Sequence, residues 1–527
     1  MMRVRQLMVG AAGALAFAGS AAAQEASPLV KRSAYEDLQM FGQVLNQIRI
    51  NHADSLDTHA LFMAAIEGMV HAADPHSFVI SYVRLSPAKE QAYRDNKLVP
   101  VPLSFQYIGG APVVAGVAAG SAARSLDILP GDELVAIDGN AVTATSENEL
   151  DIVLSGSKNE PVRLTFERRR VDGTLVRLDR SVKRESPADQ SAVPIATMLD
   201  SATGYVRVTT FMGEHVADDL HSALERLEKA GMKRLVIDLR DNGGGSVAEA
   251  AHVAGEFLPK GTIVYTSSGR KEAVTDTGRV QRSFWRSERR YPMVVMVNAG
   301  TASASELVAG ALQDHDRALI VGRPTFGKSL LMQGFPMSDG SVLVLVIGQV
   351  KTPCGRAVQR EYRSISRHEY YRLAGADRDT ANRPSCKTDA GRTVYGGGGV
   401  YPDVLLPDSA VSPRWMQRLN EQQAVLTWAG SYVDANPPTL ASADAFVAAT
   451  ALPQAAIDDF RIFAGKQGVE IPAEANPVLQ RRLRAAVAYA KWGEEAAYRV
   501  SVSSDEGIRR AVAAFSQATS LLASAPR

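Results

Sequence analysis

Between residues 191 and 408 short apolar runs alternate with amphipathic ones, and no other feature of the chain limits its fold so tightly. Tyr205 to Val208 reads as a strand, and Val216 to Lys229 as a helix with Leu220, Leu224 and Leu227 on one face. Leu235 to Ile237 is a buried strand that runs into Asp238-Leu-Arg-Asp-Asn-Gly-Gly-Gly245, and a helix follows to Phe257. Met293 to Val297 is a further buried strand, the helix after it begins near Ser303, and Ala318 to Val321 is the next strand. Alternation of this kind predicts an α/β layered domain. In such domains sites gather where loops leave the carboxyl ends of strands, and the triglycine loop and the Ser303 loop both leave strands that way.

The flanking regions differ in character. Met1 to Arg5 is short and basic, Leu7 to Ala18 is apolar, and Ala21-Ala-Ala23 offers an A-x-A cleavage site, which together predict a signal peptide over 1–23. The apolar run falls short of the roughly 20 residues a bilayer span needs, so the mature protein is expected to be exported, without stable membrane insertion, to a periplasm. Residues 24–97 read as helical, from Leu38, Phe41, Leu45 and Ile48 on one face and a second helix over Leu61 to His71 that stops at the turn Asp74-Pro-His-Ser77. Residues 98–188 turn to short strands, with Leu129-Pro-Gly-Asp132, Leu134 to Asp138, a polar helix around Ser146 to Leu154 and the alternating strand Val162 to Phe166. That order resembles a bacterial PDZ domain, a module that adds a peptide C-terminus as a strand and holds its carboxylate with loop amides. At the expected carboxylate loop, Val99 to Leu103, Pro100 and Pro102 have no N–H to donate. Residues 411–527 are helical and Ala-rich; Trp415, Trp428 and Trp492 indicate packed helices, and the basic-apolar stretch Arg481 to Tyr489 reads as a solvated face.

Length gives about three or four domains as a prior. A composition of 46% hydrophobic and 22% charged residues with net charge +1 argues against nucleic acid or an anionic membrane as main partner. Cys354 and Cys386 could form a bridge in an oxidising compartment or stay as two buried thiols; spacing leaves both open.

The chemistry concentrates in Asn298 to Ser329. Gly322-Arg-Pro-Thr-Phe-Gly-Lys-Ser329 spells G-x-x-x-x-G-K-S, a P-loop pattern, but a P-loop lysine must start a helix. Gly334, Pro336 and a turn at Ser338-Asp-Gly340 predict a strand and hairpin after Lys328 instead. The other reading makes Lys328 the base for a serine. A serine hydroxyl needs an adjacent base and amide donors for the oxyanion, and burial can lower a lysine pKa enough for that role. Ser303 stands at a strand-to-helix junction, and Lys328 follows the neighbouring strand. There is no G-x-S-x-G elbow and no H-E-x-x-H helix. His315 and Asp316 invite a triad but fall at a helix end as a cap. Taken alone, Ser303 could equally be a helix N-cap.

Several blocks in order carry a resemblance: Asn298-Ala-Gly-Thr-Ala-Ser-Ala-Ser-Glu306, then Ala311-Leu-Gln-Asp314, Gly322 to Lys328, Asp238 to Gly245, Thr352-Pro-Cys-Gly-Arg356 and Gly396 to Asp403. They resemble the C-terminal processing (tail-specific) proteases, serine endopeptidases with a Ser-Lys dyad and a PDZ domain. The resemblance implies an α/β catalytic core over 189–410 (crotonase/ClpP-like layered sheet and helices) preceded by the PDZ domain, with helical N- and C-terminal regions. It implies Ser303, not Ser305, as nucleophile, Lys328 as general base, and amides of Gly244 and Ala304 as oxyanion hole. It implies protein or peptide substrates, no cofactor and no metal; homo-oligomerisation stays open. The family places a glutamine four residues after the lysine, where this chain has Met332, with Gln333 one further on; in a strand one residue changes the face. A bulge that restores Gln333, another orienting group, or a pseudo-protease that only binds peptide are the alternatives. Cys354 stands where the family commonly has serine, which favours the bridge.

Overall fold

The computed structural model describes residues 33–80 and 97–524, apart from 109, 119–120, 145–146, 170–173, 186–190, 272–274, 282–287, 339–340, 364–369, 371–382, 408–412, 437–441 and 450. The signal-peptide expectation lies outside the described residues. The chain divides into two compact units, residues 1–66 and 67–527.

In the first unit, α1 (Ala34–Asn51) opens on a capping box, Ser33 with Glu36, that satisfies the amides at both ends of the first turn. Helix α2 (Thr58–Ala73) follows, with the Phe41 and Phe62 rings 5.9 Å apart. After the turn at Asp74, residues expected to stay helical form β1 (Phe78–Ile80). This strand pairs antiparallel with the later strand at Val342–Val344, which exceeds any local helical preference.

The PDZ region comprises β2 (Leu103–Ile108), β3 (Ala111–Val117), β4 (Glu133–Ile137), β5 (Asn140–Ala141), α3 (Glu147–Leu154), β6 (Pro161–Arg169) and β7 (Leu175–Lys183). Its sheet runs β2-β3-β4-β6-β7, around Phe105, Leu134, Leu150, Leu154, Leu164 and Phe166. The Leu129–Asp132 turn closes as expected: Asp132 accepts the Leu129 N–H, and Gly131 takes φ +96°. Asp132 also holds the Arg168 guanidinium through two bonds in a buried pair. At the loop where a peptide carboxylate would sit, Val99 pairs both backbone groups with Gly156, and the Pro100 carbonyl accepts from Glu185.

The α/β region contains β8 (Ile195–Met198), β9 (Thr203–Arg207), α4 (Val216–Lys229), β10 (Arg234–Asp238), α5 (Val247–Gly255), β11 (Ile263–Gly269), β12 (Asp276–Arg279), β13 (Met293–Val297), α6 (Ala304–Asp314), β14 (Leu319–Gly322), β15 (Leu330–Pro336), β16 (Val342–Lys351), β17 (Ser385–Lys387), β18 (Thr393–Tyr395) and β19 (Val404–Leu405). Among the described residues the central sheet has the order β19-β14-β13-β10-β9-β8, parallel except for β8. A second sheet joins β1, β16, β11 and β12, with β15 on β16.

The strands of the parallel sheet alternate faces, and both faces are buried. Val206, Leu235, Ile237, Val295 and Ile320 pack under α4, α5 and α6. Tyr205, Val236, Val294, Met296, Leu319 and Val321 face the other way and meet the C-terminal helices. Those helices are α7 (Arg414–Glu421), α8 (Ala424–Ala435), α9 (Ala443–Ala448), α10 (Gln454–Lys466), α11 (Asn476–Trp492), α12 (Glu494–Val502), α13 (Glu506–Ala513) and α14 (Phe515–Ser524). Ile508, Ala511, Phe515, Ala518 and Leu521 of α13 and α14 cover the sheet, so the tail supplies the third layer of the α/β domain. Helices α8, α10 and α11 pack around Trp428, Phe460 and Leu483, and the PDZ residue Leu129 joins that cluster. Gly131 lies so close to α8 that an added Cβ would stand 2.8 Å from the Thr427 Cα. The solvated face expected over Arg481 to Tyr489 is corrected: Leu483, Arg484, Ala486 and Val487 are buried, and Arg484 donates to the carbonyls that end α9.

Candidate active site

Strands β10 and β13 lie side by side in parallel, so their two carboxyl-terminal loops meet. Asp241 and Asn298 tie them together: the Asp241 N–H donates to Asn298 Oδ1 at 2.9 Å, and Asn298 Nδ2 returns a bond to Asp241 at 2.8 Å. The Asn242 carbonyl then accepts from the Ala302 N–H and from Ser305 Oγ, both at 3.0 Å. Ser305 is thereby fully buried with its hydroxyl committed to the backbone. Ser303, two residues earlier, is half-buried at the start of α6.

Ser303 has φ +56° and ψ −118°. An ordinary capping serine sits in the extended region with negative φ, whereas a side-chain-bearing residue in this region stores about 1–3 kcal/mol of strain. Position as an N-cap is therefore correct, but the conformation is that of a sharp turn which presents the side chain. Gly244 explains how the turn fits. A Cβ at Gly244 would lie 2.7 Å from Ser303 Cβ and 2.8 Å from the Ala304 nitrogen, and its φ of +97° is one that suits glycine.

The expectation for Gly244 as an oxyanion donor requires correction. Its N–H donates to Asn242 Oδ1 at 2.9 Å. Gly244 contributes by lacking a side chain next to Ser303, and its amide is engaged. Ala304, at the first position of α6, has no acceptor for its N–H among the described residues, as the first turn of a helix leaves it. The helix dipole adds partial positive charge there.

Glu306 joins the two halves of the site. It is fully buried, and its Oε2 accepts the Ser303 N–H at 2.9 Å and the Lys328 N–H at 2.8 Å. Its Oε1 accepts the Gly327 N–H at 2.8 Å and the Thr325 hydroxyl. Thr325 Oγ1 itself accepts from the Val400 N–H, so its proton is directed to the carboxylate. Burial pushes the Glu306 carboxyl up to about 7, while these four donors favour its ionised form. Sequence reasoning missed Glu306, although Ser303-x-x-Glu306 is a capping-box spacing that could have flagged it.

Lys328 is half-buried, and burial lowers its pKa; the charges of Glu306 and Asp74 oppose that shift. Asp74 belongs to the turn Asp74 to Ser77, read from the sequence only as the end of the second helix. Its carboxylate accepts from the His76 and Ser77 amides and the Ser77 hydroxyl, and Ser77 Oγ accepts from Val346 N–H on β16. No helix follows Lys328; the chain enters β15 directly, which is incompatible with a P-loop.

Gln333 does not take up the role expected of it. It is exposed on β15 opposite Leu345, and the irregularity in this pair lies between Leu331 and Met332, where β16 inserts Ile347. The extra residue is on the partner strand, so the alternation of β15 is unchanged. His315 caps the far end of α6 and bonds Asp389 and the Ile263 carbonyl, which removes it from any triad with Ser303. Cys354 and Cys386 form a disulfide.

A family model described as peptidase family S41 matches residues 202–366, and a PDZ-domain model matches 113–168. The carboxy-terminal-processing protease of Bartonella bacilliformis is 31% identical over 341 residues, which cover 62% of this chain and 74% of that relative. The carboxyl-terminal-processing protease of Synechocystis sp. is 36% identical over 242 residues, 45% of this chain and 53% of its own length. Among solved structures, the photosystem II D1 C-terminal processing protease is 25% identical and covers 76% of this chain and 92% of its own, with a TM-score of 0.38. The order of a PDZ domain and then a catalytic core, the blocks around Ser303 and Lys328, the two family-model matches and the Bartonella bacilliformis relative agree: the chain belongs to peptidase family S41, with the carboxy-terminal-processing proteases.

Proposed function

We propose that the chain is an exported serine endopeptidase that cleaves C-terminal or unfolded segments of periplasmic proteins with Ser303 as nucleophile and Lys328 as general base. The observation that carries this reading is Glu306: one carboxylate oxygen accepts both the Ser303 and the Lys328 N–H, which sets the two backbones side by side. Lys328 Nζ, whose pKa burial lowers, removes the Ser303 proton as Oγ attacks the scissile carbonyl. The Ala304 N–H at the α6 terminus receives the oxyanion. The protonated lysine returns its proton to the leaving amine, and water then repeats the cycle on the acyl-enzyme. The disulfide supports an oxidising compartment.

The second reading is a peptide-binding pseudo-protease, favoured by the exposed position of Gln333. Incubation of the protein with reduced, unfolded casein, beside Ser303→Ala, separates the two. Degradation by the wild type alone supports the protease. Equal degradation by both removes Ser303 from the role, and binding without degradation supports the module.

A further inference from the structure

Gln359, Arg360 and Tyr370, which lie between Cys354 and Cys386 in the sequence, hold the backbone on both sides of Lys328. Gln359 is buried, and its Oε1 accepts the Ser329 N–H at 2.9 Å. Its Nε2 donates to the Tyr370 hydroxyl at 3.1 Å, and Tyr370 in turn donates to the Gly327 carbonyl at 3.2 Å. The Arg360 N–H reaches the same Gly327 carbonyl at 2.9 Å, and its guanidinium lies over the rings of Tyr370 and Phe326. Burial pushes the Tyr370 phenol up to about 12, so it remains a donor at neutral pH. The start of the same segment is anchored to the helix that Ser303 begins. Cys354 N–H and Arg356 donate to the two oxygens of Asp314, and Arg356 also reaches Gln313. The disulfide closes this arrangement across 32 residues.

Resting on the Ser303–Lys328 reading, we infer that the disulfide-closed segment orients Lys328, with Gln359 and Tyr370 as positioning residues in place of a glutamine on β15, and that its reduction releases the lysine. The step is balanced by a dithiol reductant, which delivers two electrons and two protons to give two cysteine thiols and becomes a cyclic disulfide itself. Loss of the bond between Cys354 and Cys386 removes a covalent closure and raises the entropic cost of holding Gln359 and Tyr370 in place. Glu306 still holds the amides of Gly327 and Lys328, so the effect is expected at Ser329 and at the lysine side chain.

The test uses the full chain with casein as probe, in three forms: oxidised, reduced with dithiothreitol, and reoxidised. Cys354→Ser/Cys386→Ser and Gln359→Leu stand beside it, with circular dichroism to establish that each is folded. Reduction is expected to lower kcat about 10-fold with KM little changed, raise the pH at which activity reaches half its maximum, and be reversed by reoxidation. The double serine variant should match the reduced enzyme and ignore the reductant. Deuterium uptake of the peptide spanning 326–330 should rise in the reduced enzyme and in Gln359→Leu, a readout that does not depend on turnover. Unchanged uptake, or a folded double variant with the wild-type kcat and pH profile, overturns the inference. If uptake rises while the oxidised enzyme cleaves nothing, it is the Ser303–Lys328 reading that fails.

Discussion

Replacing Glu306 by glutamine turns one carboxylate oxygen into an NH2 group at constant volume. At the Oε2 site that group would face two backbone amides, those of Ser303 and Lys328. At the Oε1 site it would face the Gly327 amide alone, while Thr325 Oγ1, which already accepts from the Val400 N–H, keeps one lone pair for the NH2 group once its proton turns away. The glutamine oxygen should therefore stay with Ser303 and Lys328, and the orphaned Gly327 N–H costs about 1–3 kcal/mol. Against this, burial raises the wild-type carboxyl from 4.5 to about 7, so keeping it ionised costs roughly 3 kcal/mol. A raised folded-state pKa means that the carboxyl's favourable contribution is complete below pH 4.5 and is lost as pH rises to about 7. Glutamine has no such dependence. Glu306→Gln should therefore be less stable than wild type by about 1–3 kcal/mol near pH 5, and the gap should close towards pH 8. Its kcat should fall about 10-fold, whereas Glu306→Ala, which frees both backbones, should lose about 100-fold. Urea unfolding at the two pH values beside casein cleavage measures both effects. A stability gap that is constant with pH, or Glu306→Ala with the wild-type kcat, refutes the reasoning.

Gly244→Ala should abolish cleavage while the protein stays folded, because its Cβ meets the Ser303 Cβ and the Ala304 nitrogen below 3 Å; full activity on casein would contradict that packing. Activity should rise with pH to a plateau set by Lys328 below its ordinary 10.5, and Lys328→Arg, which stays charged, should be inactive across the same profile. Phe515→Ala should destabilise the catalytic domain by about 3–5 kcal/mol, since its ring is buried on the parallel sheet; a thermal melt within a degree of wild type would show that the tail is not a structural layer.

The central sheet was legible because parallel strands buried on both faces leave continuous apolar runs such as Leu235–Ile237 and Met293–Val297. Which elements bury the second face was not legible. The residues of α13 and α14 that do so lie roughly 190 to 320 positions downstream of the strands they cover, more than the span of a typical domain. Ser303 and Lys328 were legible as motif residues, but Glu306 was hidden behind its own ambiguity, since a glutamate three residues after an N-cap serves equally in any solvated helix. Gly244 was expected to donate an amide; the preceding Asn242 side chain takes that bond, a local competition that one-dimensional spacing does not show. Arg484 looked solvated because charge on a helix usually is, yet carbonyls at the end of α9 give its guanidinium buried partners.

The central claim is that Ser303 forms the acyl-enzyme and Lys328 activates it. Reaction with an activated acyl ester, quenched in acid and mapped by mass spectrometry, tests it directly. An acyl group on Ser303 that disappears in Ser303→Ala and falls sharply in Lys328→Ala at neutral pH is the predicted result. An acyl group on Ser305 or elsewhere, or acylation of Ser303 that is indifferent to Lys328→Ala, would contradict it.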